Sequence, residues 1–549
     1  VSVLVALNGG VSYAYGLWAP LLKRHGLDQR DVAILGGSFN VRYDETNPVR
    51  TDAAHPLTPV SCPCLVAAHA GFGAYSSFIA GILYDKMERR QHVGPRLTLL
   101  VGCLVSSVGF FLLQRAISSE TPVPFPLLVC AAIVAGNGCT YFDVSPISTN
   151  IRNFPSTRGW VIGIIKSSIG LSGGLYSIVF FQGMFHGDSA AFLRFLCWGP
   201  STLVLFCVPF VNYVPYRQES ERCARTNARR FQCAVVVIGV LALYVMGVSM
   251  VRGMMDVTPH LQGVLAVGAL VFLMPLFGIT FDSGGLFATK EEEEEEGEVG
   301  GEVEAGADEH EGDEGVETAL LAPDDEANAS SHSLRHCLLA SPEFYMLGAA
   351  TGIGIGSGLT FLNNSPQIVG SLGGSGQEQT IVVAFFSCAS CFGRLGFGAA
   401  SETVTRRYKI SRVWFLILAA AGSALVFSML SVECLASPTA LYPLSLISGL
   451  FFGGHWAVMP NLASDLHGLT SFASIYSVLQ LFGGVIAYVL ATYVGQSYDA
   501  IGRAQGDPPG KCIGPQCFTG SFRKISALCV LGFVLSVALW RRTRFSRRL

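Results

Sequence analysis

The sequence predicts an all-α membrane protein of about fourteen transmembrane helices, and three observations carry that reading. Only 14% of the 549 residues are charged and 50% are hydrophobic, with a mean hydropathy of +0.47. Soluble domains carry roughly 25% charged residues, so a water-facing globule is a poor fit. Apolar runs of roughly 18–24 residues recur along the chain, each long enough to cross about 30 Å of hydrocarbon. Basic clusters then fall on one side when successive runs are alternated across the membrane.

Taken in order, the first run is Ser2–Leu22 and the second closes at Ile82–Tyr84. Leu97–Leu113, Phe125–Ser148, Trp160–Phe181 and Phe192–Val211 complete a group of six. Phe231–Val251 and Leu261–Phe281 form a central pair. A second group of six follows: Phe344–Pro366, Ile381–Ala400, Val413–Val432, Tyr442–Asn461, Phe472–Val494 and Ile525–Trp540. This divides the chain into an N-terminal bundle (1–215), two extra helices (216–289), a linker (290–340) and a C-terminal bundle (341–549).

The basic clusters are Lys86–Arg90, Arg152 with Arg158, Arg217–Arg230, Arg406–Arg412 and Arg541–Arg548. The positive-inside bias puts them, and both termini, in the cytoplasm of a multi-pass protein in the plasma membrane or an organelle membrane. The linker lies on that side. Residues 291–326 hold 18 acids and no Lys or Arg, a composition expected to stay disordered. On the opposite side the loop GKCIGPQCF places Cys512 and Cys517 where an oxidising space would favour a small disulfide. The other Cys lie mostly in apolar runs and behave as small hydrophobes.

The residues that bear chemistry are charges and amides inside apolar runs. Lys166 stands about two turns into the fifth run, where a charge costs a few kcal/mol on insertion scales. Asp143 lies at a similar depth in the fourth run, so the two can form an ion pair. Asn137 and Tyr141 add polar groups to that helix, and Asn363, Asn364 and Gln367 cluster around Pro366 in the ninth. His455, beside Trp456 in the twelfth, is a candidate for proton coupling set against a packing role. These residues are the candidate substrate ligands, and each amide has interhelical hydrogen bonding as its competing role.

Two further stretches occupy corresponding places in the halves. GILYDKMERR offers Gly81 for close helix approach, then Asp85, Arg89 and Arg90 at the cytoplasmic mouth. GRLGFGAASETVTRR offers Gly393, Arg394 and Glu402. Paired charge locks of this kind mark transporters built from two related bundles. There is no P-loop, no metal-ligand spacing and no hydrolytic carboxylate pair, so neither an enzyme nor a bound cofactor is expected.

GILYDKMERR resembles the loop signature of the major facilitator superfamily. The chain more narrowly resembles its plant nodulin-like transporters, through SYAYGLWAP (Ser12–Pro20), NFPSTRGWVIGIIKSSIGLSGG (Asn153–Gly174) and FLNNSPQIVGSLG (Phe361–Gly373). GRLGFGAASE, GLFFGGHWAVMPNLASDLHG and GPQCF extend the likeness across the second half. The resemblance implies two six-helix bundles separated by two extra helices, working by alternating access. Residues 41–70 depart from it: joining Asn40 to Gly71 would restore a continuous second helix, so they are expected to be an extraneous insert, the alternative being a real external loop that leaves Leu65–Tyr84 as the second span. The expected partners are a small polar solute, with a carboxylate-bearing one as the narrower expectation, a coupling proton and the bilayer. Nucleic acid is not expected, and the unit is expected to be a monomer. The rival is a membrane sensor that binds a solute without moving it.

Overall fold

The computed structural model describes residues 1–11, 17, 78–91, 93–119, 123–213, 221–255, 257–278, 333–433, 437–506 and 512–546. These residues are overwhelmingly helical. The first half comprises α1 (Ser2–Gly9), α2 (Phe78–Gln91), α3 (Gly94–Ile117), α4 (Phe125–Asn153), α5 (Arg158–Leu175) and α6 (Ser189–Phe210). Next come α7 (Glu221–Met254) and α8 (Pro259–Leu273). The second half comprises α9 (Pro342–Asn363), α10 (Gly376–Tyr408), α11 (Val413–Leu430), α12 (Pro438–His467), α13 (Phe472–Gln505) and α14 (Gln516–Ser546).

Among the described residues ten helices are long and apolar enough to cross a membrane, and α8 is a shorter apolar helix. The count of fourteen therefore stays an expectation. The insert at 41–70 and the acidic run lie outside the described residues. The expected linker runs to residue 340, but its last seven residues, Leu334–Ala340, form a helix. Its fully buried residue, Cys337, lies 3.6 Å from His467 Nδ1, so packing against the end of α12 gives that turn a reason to fold.

Local sequence explains where the helices start and stop. Ser375 caps α10 in a reciprocal capping box with Glu378, and Lys409 ends it in the left-handed region at φ 56°. Ser341 and Ser437 cap α9 and α12, each followed by a proline in the first turn. The α5 helix does not stop at Leu175 but continues as a π-helical stretch, Tyr176–Met184. Within it the Tyr176 hydroxyl donates to Asn8 Oδ1 at 2.6 Å, tying this stretch to α1.

The two halves meet along α5 with α10 and along α2 with α13. On α5 the contact stripe is Gly159, Gly163, Ser167 and Gly170, spaced four, four and three residues apart on one helix face. Small side chains are required there. A Cβ at Gly398 of α10 would lie 2.6 Å from the Gly159 carbonyl oxygen, and Ser167 donates to the Cys391 carbonyl at 3.1 Å. We predict that Gly398→Val destabilises the protein by roughly 1–3 kcal/mol or more, because backbone rather than a mobile side chain opposes it. Thermal unfolding in detergent checks this; an unchanged midpoint would show that the helices can part at no cost.

Candidate functional site

Lys166 and Asp143 meet at the junction of the halves. Lys166 Nζ lies 2.9 Å from Asp143 Oδ1 and 2.8 Å from Oδ2, and both residues are buried. Asp143 accepts two more bonds, both from α13: Tyr476 donates its hydroxyl at 3.0 Å and Gln480 its amide at 2.7 Å. The carboxylate of the first half is thus satisfied by one cation from its own bundle and two neutral donors from the other. Lys166 is further enclosed by aromatic faces, 4.6 Å from the Trp456 ring centroid and 5.1 Å from that of Tyr476. Such rings stabilise an ammonium while excluding water.

Close backbone approach sets up this arrangement. α1 wedges beside it: a Cβ at Gly9 would come 3.3 Å from the α4 backbone at Phe142, and one at Gly10 would strike the Ile169 carbonyl at 2.4 Å. Asn8, immediately before these glycines, accepts the Tyr176 hydroxyl.

Other residues expected at the site are placed differently. Tyr141 packs against α3, where its Cβ lies 2.5 Å from the position of a Gly102 Cβ. It stands two positions before Asp143, which turns it by about 200° to the far side of the helix. His455 is fully buried, pairs its Nδ1 with the Phe451 carbonyl at 2.8 Å and packs its ring on Gly354 of α9. Trp456, one residue on, is the one that faces Lys166. Asn137 is buried six residues before Asp143, about 9 Å along the helix axis. Asn363, Asn364 and Gln367 are half-buried at the break between α9 and the short helix Ser365–Ser371, where Asn364 donates to the Thr360 carbonyl at 2.8 Å.

Two carboxylates sit on helix starts across the junction, at the end of the molecule that carries the basic clusters. Asp85, near the end of α2, accepts the Ser474 backbone N–H at 2.8 Å and its hydroxyl at 2.6 Å, in the first turn of α13. Glu402, near the end of α10, accepts the Gly159 backbone N–H at 3.0 Å, in the first turn of α5. Each acid therefore neutralises the orphan donors and positive dipole end of a helix in the opposite half. Gly81 lets α2 reach α13, since a Cβ there would lie 2.3 Å from the Ala473 carbonyl. Glu402 is also bound by Arg412 at 2.5 Å, which in turn holds Asp465 at 2.8 Å. Arg152 of α4 adds a third crossing bond, 2.9 Å to the Leu469 carbonyl. Arg89 donates to the Asp85 carbonyl in its own helix, and the Arg90 side chain lies outside the described residues.

Arg394 corrects the sequence-based assignment to this lock. Eight residues before Glu402 along α10, about 12 Å of rise, it lies beside Lys166 instead, donating to the Lys166 carbonyl at 2.7 Å. Gly393 serves the second half internally, against the Leu450 carbonyl of α12. Cys512 and Cys517 are joined in a disulfide between α13 and α14. Tyr476, Gln480, Ser474, Arg412 and Asp465 were not singled out from the sequence. Ser474, Ser477 and Gln480 do share one face of α13, which is a signal for a polar seam in a membrane helix.

The Nodulin-like family model matches residues 66–280, and the model for the C-terminal domain of NFD4 matches residues 335–548. The chain is thus similar to the nodulin-like family over its first half and to the C-terminal domain of NFD4 over its second. Protein NUCLEAR FUSION DEFECTIVE 4 of Arabidopsis thaliana is 25% identical over 81% of this chain and 77% of its own length. Probable transporter MCH1 of Saccharomyces cerevisiae is 26% identical over 30% of this chain and 33% of its own. The fold matches that of the proton:xylose symporter XylE, with a TM-score of 0.53, 13% identity and coverage of 98% and 94% of the two chains. This chain is therefore an integral, multi-pass membrane protein with the major facilitator fold.

Proposed function

We propose that this nodulin-like protein is a secondary active transporter that moves a small polar solute carrying an anionic group by alternating access. The observation that supports this most is the Asp143 cluster, in which Lys166 from one half and Tyr476 and Gln480 from the other share one carboxylate. A buried ion pair is weak as a stabilising device, since desolvation cancels much of the attraction. It is useful as an exchangeable one: a substrate anion can take over Lys166 while Asp143 is released, loosening the crossing bonds to α13. The domain division follows the same reading, with 1–215 and 341–549 rocking about the α5–α10 and α2–α13 contacts, and with the basic end in the cytoplasm. XylE is a proton:xylose symporter, and a proton is the coupling ion proposed here.

Uptake of a panel of small polar solutes into proteoliposomes, with and without an inward pH gradient, tests the proposal. At least one solute is expected to accumulate, and more so with the gradient. Saturable binding with no accumulation of any bound solute would make the protein a sensor instead.

A further inference from the structure

The site contains two cations and one acid. Lys166 is matched by Asp143, but among the described residues no carboxylate lies within ion-pair distance of Arg394, although it is only 2% exposed. Its Nη1 donates to the Lys166 carbonyl, its Nε has no hydrogen-bond partner among the described residues, and the Phe452 ring backs the guanidinium at 5.8 Å. The group is seated in a notch made by Gly170, where a Cβ would lie 2.3 Å from Nη1.

Capping one carbonyl explains this poorly. A neutral amide or hydroxyl would do that work without the several kcal/mol of desolvation that a buried charge costs. A guanidinium adds a fixed charge and a planar fork that matches a carboxylate. The net single positive charge left in a water-poor junction is relieved by one incoming anion.

We propose that Arg394 is the second anion-binding cation of this site, and that the cargo is a small organic carboxylate gripped by Lys166 from the first half and Arg394 from the second. The proposal rests on the transport-site reading above and adds the cargo's chemical class, a carboxylate, and a second ligand for it. Because the two cations belong to opposite halves, the bound carboxylate itself becomes part of the contact between them. Gly170 is then a positioning residue, which seats the fork without touching the cargo.

The test uses the purified full chain in detergent, with acetate, glycolate, succinate and citrate as probes and acetamide, glycolamide and succinamide as uncharged counterparts. Thermal unfolding reports binding. At least one carboxylate is expected to raise the midpoint at millimolar concentration while its amide does not. Arg394→Gln is expected to weaken that carboxylate at least ~10-fold, with partial recovery in Arg394→Lys, which keeps charge but not the fork. Gly170→Ala keeps the guanidinium and displaces it, so it is expected to weaken binding too, and it serves should Arg394→Gln fail to fold. No carboxylate binding to the wild-type chain, or affinities within about twofold of wild type in Arg394→Gln, or in Arg394→Lys and Gly170→Ala where the Gln variant does not fold, overturns the proposal. Should Lys166→Ala lose carboxylate binding while the Arg394 variants keep it, the transport-site reading stands and this inference alone falls.

Discussion

Replacing Lys166 by alanine is expected to abolish uptake while leaving a folded, membrane-inserted protein. Truncating one member of a buried, hydrogen-bonded charge pair costs roughly 2–5 kcal/mol in a binding event. At about 1.4 kcal/mol per factor of ten, transport should fall by at least ~30-fold. The fold is expected to survive because Asp143 keeps two donors, the Tyr476 hydroxyl and the Gln480 amide. A double variant, Lys166→Met with Asp143→Leu, separates structure from transport more sharply. Replacing a buried ion pair by apolar residues of similar size is often neutral or stabilising. The double variant should therefore match or exceed wild-type thermal stability and still transport nothing. Uptake retained in either variant with unchanged affinity would remove Lys166 from the site.

What could be read from the sequence was the membrane architecture, its two related halves and the residues whose burial alone is costly. Lys166 and Asp143 announce themselves because a charge in hydrocarbon needs a reason, and their equal depth was enough to bring them together. Asp85 and Glu402 were legible as acids at a helix mouth, but their partners were not. Those partners are the backbone N–H groups of Ser474 and Gly159, which every residue but proline carries and no letter marks. Arg394 was misplaced because adjacency to Gly393 in sequence hid a separation of two turns from Glu402. Tyr141 and His455 show the same effect in reverse. Being near Asp143 and Trp456 along the chain, they point elsewhere around the helix.

The two carboxylate locks should fail independently and to similar degree. Asp85→Ala removes an acceptor from two Ser474 groups, and Glu402→Ala removes one from Gly159 while leaving Arg412 its bond to Asp465. A hydrogen bond to a charged group contributes about 1.5–3 kcal/mol, and the helix dipole adds to it at a first turn. Each substitution should thus shift the equilibrium between closed and open at the basic end by roughly 10–100-fold, and the pair by about the product if the sites are far enough apart to add. Spin labels at Lys86 and Arg407, both exposed near the locks, read that equilibrium as a distance distribution. The closed, short-distance population should shrink in each single variant and nearly vanish in the double. Loss in one variant alone would leave a single lock at that end, and wild-type distances in all three would assign closure to the glycine-lined α5–α10 contact. The direction of the effect on transport follows from the same arithmetic. A carrier that rests open at one end returns slowly, so the maximal rate should fall while affinity measured from the open side is kept or improved.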